Sequence, residues 1–129
     1  MNVDSLRRYC LSFPNTRETL QWGETLCFKV ANKLFATLSL DVASETRLCL
    51  KCTPERFAEL LEIEGCHPAP YVGRYKWIGM ESFDCLNDRE LQAAVSESYA
   101  LISAKLPKKT LSRKPNRRKS RAKPKLPRR

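Results

Sequence analysis

The positive charge of this chain is concentrated in one segment, and that distribution decides which part of the chain can fold. Thirteen of the 24 Lys and Arg residues lie between Lys105 and Arg129, a segment without Asp or Glu, whereas residues 1–104 hold eleven basic and all 14 acidic residues. A segment with many uncompensated charges and few apolar residues cannot bury enough surface to offset the entropy lost on ordering. We therefore expect a compact domain over residues 1–105 and a disordered, proline-containing basic tail over residues 106–129.

Hydrophobic periodicity predicts the first half of the compact domain. Apolar residues at helical spacing over residues 3–13 indicate an amphipathic helix, and residues 15–18 have the cap-plus-acid spacing of a short helical turn. Apolar and polar residues then alternate, as in half-buried strands, over residues 26–30, 34–40 and 47–52, with a turn at Asn32-Lys33. Three short strands joined by short turns predict an antiparallel meander.

The second half of the domain adds two helices and a further strand. Thr53-Pro54-Glu55 combines a cap, a proline and an acid as at the start of a helix, and residues 87–90 resemble a capping box for a last helix that ends before Pro107. Residues 66–74 are rich in proline and glycine and indicate an extended loop, followed by a strand over residues 75–80. We therefore predict a two-layer α+β fold, in which an antiparallel sheet of four to five strands packs against about three helices.

The basic tail is the strongest functional signal in the sequence. Lys and Arg side chains displace the counterions that condense on nucleic-acid phosphates, so binding should weaken steeply with salt, with a log–log slope of roughly −6 if about half of the charges are engaged. The tail has no aromatic residue that could stack on bases, which predicts little sequence specificity. The candidate phosphate-binding residues of this segment are Lys105, Lys108, Lys109, Arg113, Lys114, Arg117, Arg118, Lys119, Arg121, Lys123, Lys125, Arg128 and Arg129.

A second and weaker set of candidate contacts lies on the compact domain. Lys29 and Lys33 flank the first strand turn, and Arg74 and Lys76 lie beside aromatic residues that include Trp77. Basic and aromatic residues mixed at a sheet edge suit phosphates and bases. The alternative is that Trp77 belongs to the core and the charges are its solvated neighbours, and the net negative charge of the domain weighs against a large binding surface on it. The aromatic residues that we assign to fold and loop architecture are Trp22, Phe28, Phe35, Tyr71, Trp77 and Tyr99.

Six cysteines and a single histidine raise the alternatives of metal binding and catalysis. Cys49 and Cys52 have the spacing of a zinc half-site, which Cys66 and His67 could complete. Residues three apart in a strand point to opposite faces, so we expect thiols packed in the core, and neither a metal nor another cofactor. The sequence contains no phosphate-binding glycine loop, and His67 lacks an evident nucleophile, so we expect that the protein is not an enzyme.

Several short segments occur together in one order: Trp22-Gly23, Phe28-Lys29-Val30 with Lys33-Leu34-Phe35-Ala36, Pro68-Ala69-Pro70-Tyr71 with Trp77-Ile78, and Ser98-Tyr99-Ala100-Leu101-Ile102 leading into Leu106-Pro107-Lys108-Lys109. In these segments, which span most of residues 1–109, the chain resembles the MmcQ/YjbR family of small bacterial proteins. The resemblance implies a CyaY-like two-layer α+β fold and DNA binding, and no catalytic motif accompanies it. The basic extension after Lys109 exceeds the usual pattern of the family.

Together these features predict a small, non-enzymatic DNA-binding protein whose C-terminal arm contacts phosphates, with DNA favoured over RNA. One alternative is a protein-interaction or chaperone-like module, which could form a homodimer and use the tail as a solubilising or RNA-contacting extension. Another is an enzyme that uses the loop over residues 66–77. The first eight residues lack an apolar signal segment, and no apolar run approaches the roughly 20 residues of a membrane span, so we expect a cytoplasmic protein without membrane contact.

Overall fold

The computed structural model describes residues 1–106, which form three α-helices and one antiparallel sheet of six strands. The helices are α1 (Val3–Leu11), α2 (Pro54–Leu60) and α3 (Asp88–Ser103). The strands are β1 (Thr16–Gln21), β2 (Thr25–Val30), β3 (Lys33–Ser39), β4 (Leu48–Lys51), β5 (Cys66–Pro68) and β6 (Trp77–Met80), in the spatial order β1-β2-β3-β4-β6-β5. A single turn of 3-10 helix, Gly73–Tyr75, lies between β5 and β6.

The helices cover one face of the sheet, because alternate side chains of the strands are apolar and point toward them. Phe28 and Val30 of β2, and Leu48 and Leu50 of β4, are fully buried in a single core cluster. The helices contribute Leu6, Cys10, Leu60, Leu91, Ala94, Val95 and Ile102 to the same cluster. Each large aliphatic or aromatic side chain buried in this way contributes about 1.5–3 kcal/mol. The predicted two-layer α+β architecture is confirmed.

The helix starts follow the predicted capping chemistry. The Thr53 side chain accepts the Arg56 N–H, with Pro54 in the first turn of α2. At α3 the capping box is complete, since the Asn87 side chain accepts the Glu90 N–H at 2.8 Å and the Glu90 carboxylate accepts the Asn87 N–H at 3.4 Å. Capping groups of this kind satisfy N–H groups that have no partner within the helix, and each contributes about 1 kcal/mol.

The sheet has one or two strands more than predicted, and both additions are edge strands. The helical turn predicted over residues 15–18 is wrong, because β1 pairs with β2 along its whole length, from Thr16 opposite Val30 to Gln21 opposite Thr25. β5 lies within the segment predicted as a loop and pairs with β6. Edge strands tolerate polar residues and proline, as at Pro68, because one side makes no ladder bonds. Their sequences therefore lack the apolar alternation of an inner strand.

A tight turn and a bulge determine how β3 lies in the sheet. The turn is Ala31-Asn32, one residue before its predicted position, and both residues have positive φ (47° and 72°), as a two-residue hairpin turn requires. Farther along, Phe28 pairs with Ala36 and Lys29 with Leu34, so Phe35 is an extra residue in β3. The bulge directs Phe35 into the helix layer, where its ring centroid lies 5.4 Å from that of Tyr99.

The chain leaves the domain at the end of α3. Leu106 still packs against the core, one residue beyond the predicted domain boundary. The prediction of a disordered tail over residues 106–129 otherwise falls outside the described residues. Among the helices of residues 1–106, none is both long enough and apolar enough to cross a membrane.

Candidate nucleic-acid interface

The face of the sheet opposite the helices, called the open face below, carries basic side chains and no acidic side chain from a strand. Alternation along the strands places Arg17, Lys29 and Lys51 on this face, since their sequence neighbours Phe28 and Leu50 point into the core. The one acidic residue in the six strands, Glu18, points to the helix layer. There its carboxylate accepts a hydrogen bond of 2.8 Å from Arg7 Nε, and this pair lowers the pKa of Glu18.

Seven cationic residues lie at one end of the sheet, the end at which β2 ends and β3 begins, called the basic end below. They are Arg17, Lys29, Lys33, Lys51, Arg74, Lys76 and Lys105. The register aligns them: Arg17 lies opposite Lys29 and donates to the Asn32 side chain in the turn, and Lys51 lies opposite Trp77. From β1 to β6 the row spans about 19 Å, at about 4.8 Å per strand.

Lys51 lies close enough to Lys105 and to Lys76 for each of them to repel its positive charge. Burial lowers the pKa of Lys51, and the positive charges of Lys105 and Lys76 lower it further. The Lys51 ammonium donates to the carbonyl of Tyr75, and Lys76 Nζ lies 5.3 Å from the centre of the Phe57 ring. Within residues 1–106, no ion pair joins any cation of the basic end to a carboxylate. The positive charge is therefore unneutralised at the point where the basic segment of the sequence begins.

Acidic residues gather at the opposite end of the sheet. Glu24 and Glu64 lie just before β2 and β5, and Glu81 follows β6. Asp41 and Glu45 lie in the connection from β3 to β4. Near the basic end, the Glu18 carboxylate points to the helix layer and is paired with Arg7, and Glu55 and Glu97 belong to helices. The net negative charge of the domain is thus polarised along the strands, and it does not prevent an anion from approaching the basic end.

The structure brings together the candidate contacts that the sequence placed on the domain. Lys29, Lys33, Arg74 and Lys76 all lie at the basic end, with Lys105 at the end of α3. Sequence reasoning missed Arg17 and Lys51, because their position depends on strand register. The remaining candidates, Lys108, Lys109, Arg113, Lys114, Arg117, Arg118, Lys119, Arg121, Lys123, Lys125, Arg128 and Arg129, lie outside the described residues.

A pocket of about 450 Å³ lies on the open face. Two of its lining residues, Leu34 and Trp77, lie opposite Lys29 and Lys51, whereas Trp22 lies at the other end of the sheet, near Glu24. The floor of the pocket is formed by Leu34, Thr37, Cys49 and Trp77, which lie on the adjacent strands β3, β4 and β6. One side of the pocket is Trp22, in the turn between β1 and β2. The other side is formed by Pro70, Tyr71 and Val72, in the segment between β5 and β6. The lining contains no charged residue.

Two aromatic residues on the rim of this pocket are exposed although their side chains are large and apolar. Trp22 is 76% exposed and Tyr71 is 99% exposed, whereas Phe28 and Phe35, for which the sequence predicts the same architectural role, are fully buried. Both rim residues have left-handed backbone, with φ of 53° at Trp22 and 70° at Tyr71. This conformation is uncommon and costly for bulky residues, and it recurs at functional sites.

The cysteines and the histidine do not assemble around one point. Cys49 lies on the floor of the open-face pocket, and Cys52 is part of the core on the other side of the sheet. His67 Nε2 lies 3.5 Å from Thr46 Oγ1, and its neighbour Cys66 packs in the core. In the part of the chain that the structure describes, no group of three or more His, Cys, Asp or Glu residues could hold a metal ion.

The buried thiols are expected to resist alkylation in the native protein. Burial raises the pKa of Cys10 and of Cys52 to about 12, compared with 9.0 for a free thiol, so their thiolate fraction at mildly alkaline pH falls by about a thousandfold. Mapping of iodoacetamide adducts by mass spectrometry should find both sites labelled only after unfolding in guanidinium, with the partly exposed Cys85 as the internal control. Native labelling of Cys10 at the rate of the unfolded chain would contradict this burial.

Comparison with known proteins identifies relatives over most of the domain. The YjbR family model matches residues 11–101. Protein DR2400 of Deinococcus radiodurans, which carries the domain DUF419, is similar at 26% identity and a TM-score of 0.74, over 84% of each chain. A Pseudomonas syringae protein of known structure shares the fold at 20% identity and a TM-score of 0.66, over 79% of this chain and 99% of its own. No curated protein is significantly similar to the chain.

Proposed function

This chain belongs to the YjbR family, and from that premise we propose that it is a cytoplasmic, non-enzymatic DNA-binding protein. It binds the phosphate backbone at the basic end of its domain and along the basic segment that follows. The observation that carries this proposal is continuity of charge. The run of thirteen Lys and Arg residues without an acid begins at Lys105, and Lys105 lies near Lys51 of the folded domain.

Mutual repulsion among the lysines of the basic end favours a polyanionic ligand. Like charges held close together destabilise the folded domain, and phosphates placed between them remove that cost on binding. A protein surface that serves only solubility would not require lysines to cluster, because its positive and negative charges could alternate. The proposal thus gives a physical reason why the cations of the domain converge at the end from which the basic segment leaves.

The dimensions of the basic end suit a nucleic-acid backbone. The row from β1 to β6 spans about 19 Å, roughly half of the 34 Å turn of duplex DNA. The acidic residues at the opposite end repel the same backbone and so orient the domain on it. Most of these contacts are to phosphates, which position the protein and carry little sequence information.

We expect removal of two lysines at the basic end to weaken DNA binding measurably. In the full chain carrying Lys29→Gln and Lys33→Gln, the log–log slope of affinity against salt should become shallower by about 2, and affinity at low salt should fall by about tenfold to a hundredfold. Fluorescence anisotropy with a labelled duplex, titrated over a series of salt concentrations, measures both quantities.

The matched control removes the same charge from the helix layer. Arg8 and Arg89 are exposed residues of α1 and α3, and Arg8→Gln with Arg89→Gln should leave the salt slope nearly unchanged. If both double variants change the slope equally, only net charge matters and the basic end is not the binding surface. If the unaltered chain binds neither duplex nor single strands in dilute buffer, the proposed function is wrong.

A further inference from the structure

We propose that the pocket between Trp22 and Tyr71 receives one unpaired nucleobase, so that the protein prefers single-stranded to fully paired nucleic acid. This inference rests on the nucleic-acid binding proposed above and specifies its ligand. It follows from the position of an apolar, aromatic-rimmed pocket directly beside cations that are free of carboxylate partners within residues 1–106.

The pocket has the shape and chemistry of a base-stacking site. Its volume of about 450 Å³ falls in the range of roughly 300–1,000 Å³ that is typical of small-molecule pockets. The indole rings of Trp22 and Trp77 and the phenol of Tyr71 offer π-faces, on which any base can stack. Thr37 contributes the hydroxyl of the floor, a donor and acceptor for the edge of a base.

Cations adjoin the floor of the pocket where the phosphates of a bound strand would run. Lys29 lies directly opposite Leu34 in the ladder between β2 and β3. Lys51 follows Cys49 by two residues on the same face of β4, about 7 Å along the strand. A wholly apolar ligand would gain nothing from these charges, whereas a nucleotide presents an apolar face and an anion at this separation.

The rim residues are available to a ligand, because neither ring is used in the core of the domain. Trp22 and Tyr71 remain exposed on left-handed backbone, so their rings contribute little to the core of the isolated domain. The loop that carries Tyr71 is fastened by the hydrogen bond from the Lys51 ammonium to the Tyr75 carbonyl. A bound base would bury these exposed rings, and stacking on them would contribute to affinity. In a duplex the bases are already stacked and paired, and only an unpaired base can enter the pocket without an unstacking cost.

The test compares strands that differ only in their bases. The full chain is titrated with a short oligothymidine, with an abasic strand of the same length and charge, and with a duplex. We expect oligothymidine to bind about ten to a hundredfold more tightly than the abasic strand and to quench tryptophan emission. Trp22→Ala with Tyr71→Ala should abolish that preference and leave abasic binding unchanged. Trp22→Phe should retain most of the preference, since a stacking face remains.

The control variant is Tyr75→Ala. Tyr75 is also aromatic and is 53% exposed, but it does not line the pocket. The Tyr75 hydroxyl accepts a hydrogen bond from Arg74, so any effect of this change through Arg74 should weaken the binding of oligothymidine and of the abasic strand equally.

Two results would overturn the inference. One is that the double variant binds oligothymidine as tightly as the unaltered chain does. The other is that the double variant loses as much affinity for the abasic strand as for oligothymidine. If the unaltered chain shows no base preference but dimerises with increasing concentration, and the double variant does not dimerise, the pocket binds a second copy of the chain instead. Failure of all strands to bind would refute the proposed function itself.

Discussion

Ending the chain at Lys109 is expected to weaken its binding to duplex DNA by at least about a thousandfold at low salt, which is the largest effect that we predict. The truncation removes ten Lys and Arg residues and leaves the described domain intact. If about half of these charges contact phosphates, the slope of log affinity against log salt becomes shallower by about 4 to 5, because each contact contributes about 0.9. Anisotropy titrations of both proteins across salt measure the slopes directly.

A variant of unchanged length separates charge from chain length in this experiment. Replacing the same ten basic residues by Gln keeps the segment and should reproduce the loss caused by truncation. If the Gln variant binds as tightly as the unaltered chain, phosphate neutralisation by this segment is excluded. If truncation leaves both affinity and slope unchanged, the basic end of the domain accounts for all of the binding.

The second large effect concerns a buried hydroxyl that joins α3 to two strands. Ser98 Oγ donates to the Phe35 carbonyl at 2.5 Å and accepts the Lys51 N–H at 2.9 Å, in a fully buried position. The bulge displaces Phe35 from the regular ladder, and Lys51 is the last residue of β4, so Ser98 provides partners that the sheet does not. We expect Ser98→Ala to lower the free energy of unfolding by about 3 kcal/mol, because two buried backbone groups lose their partner.

Urea unfolding with an unchanged m-value measures this difference. Ser103→Ala is the matched control, since the Ser103 hydroxyl donates only a long 3.3 Å bond to the Ala100 carbonyl of its own helix. The control should cost less than about 0.5 kcal/mol, as is usual for exposed positions. Equal losses in the two variants would mean that water replaces the Ser98 hydroxyl. The result also bears on the interface, because Ser98 holds the strand end that carries Lys51.

Local chemistry made part of this molecule predictable. The cap at Thr53 and the capping box at Asn87–Glu90 correctly started α2 and α3, because a cap depends only on residues within one turn. The alternation in β2 predicted its buried face, since the strand lies inside the sheet and one of its two faces is covered by helices. The resemblance to the MmcQ/YjbR family predicted the same two-layer α+β fold.

Edge strands and the candidate site required the folded structure. β1 and β5 were missed because an edge strand needs no continuous apolar pattern and can end in a proline. Arg17 and Lys51 joined the basic end only through the register of β1 with β2 and of β4 with β6. Trp22 and Tyr71 are 49 positions apart in the sequence, and nothing local indicates that they rim one pocket.

The sequence alone determined where the cations of the chain accumulate, since this depends on composition within one segment. It also determined the starts of α2 and α3 and the alternation of the inner strands, which depend on neighbours in the chain. Only the tertiary structure decided that the basic residues of the domain converge where the charged segment begins, that the acidic residues lie at the other end, and that an apolar pocket opens beside the lysines. Strand register makes these arrangements, and register arises from contacts between residues that are far apart in sequence.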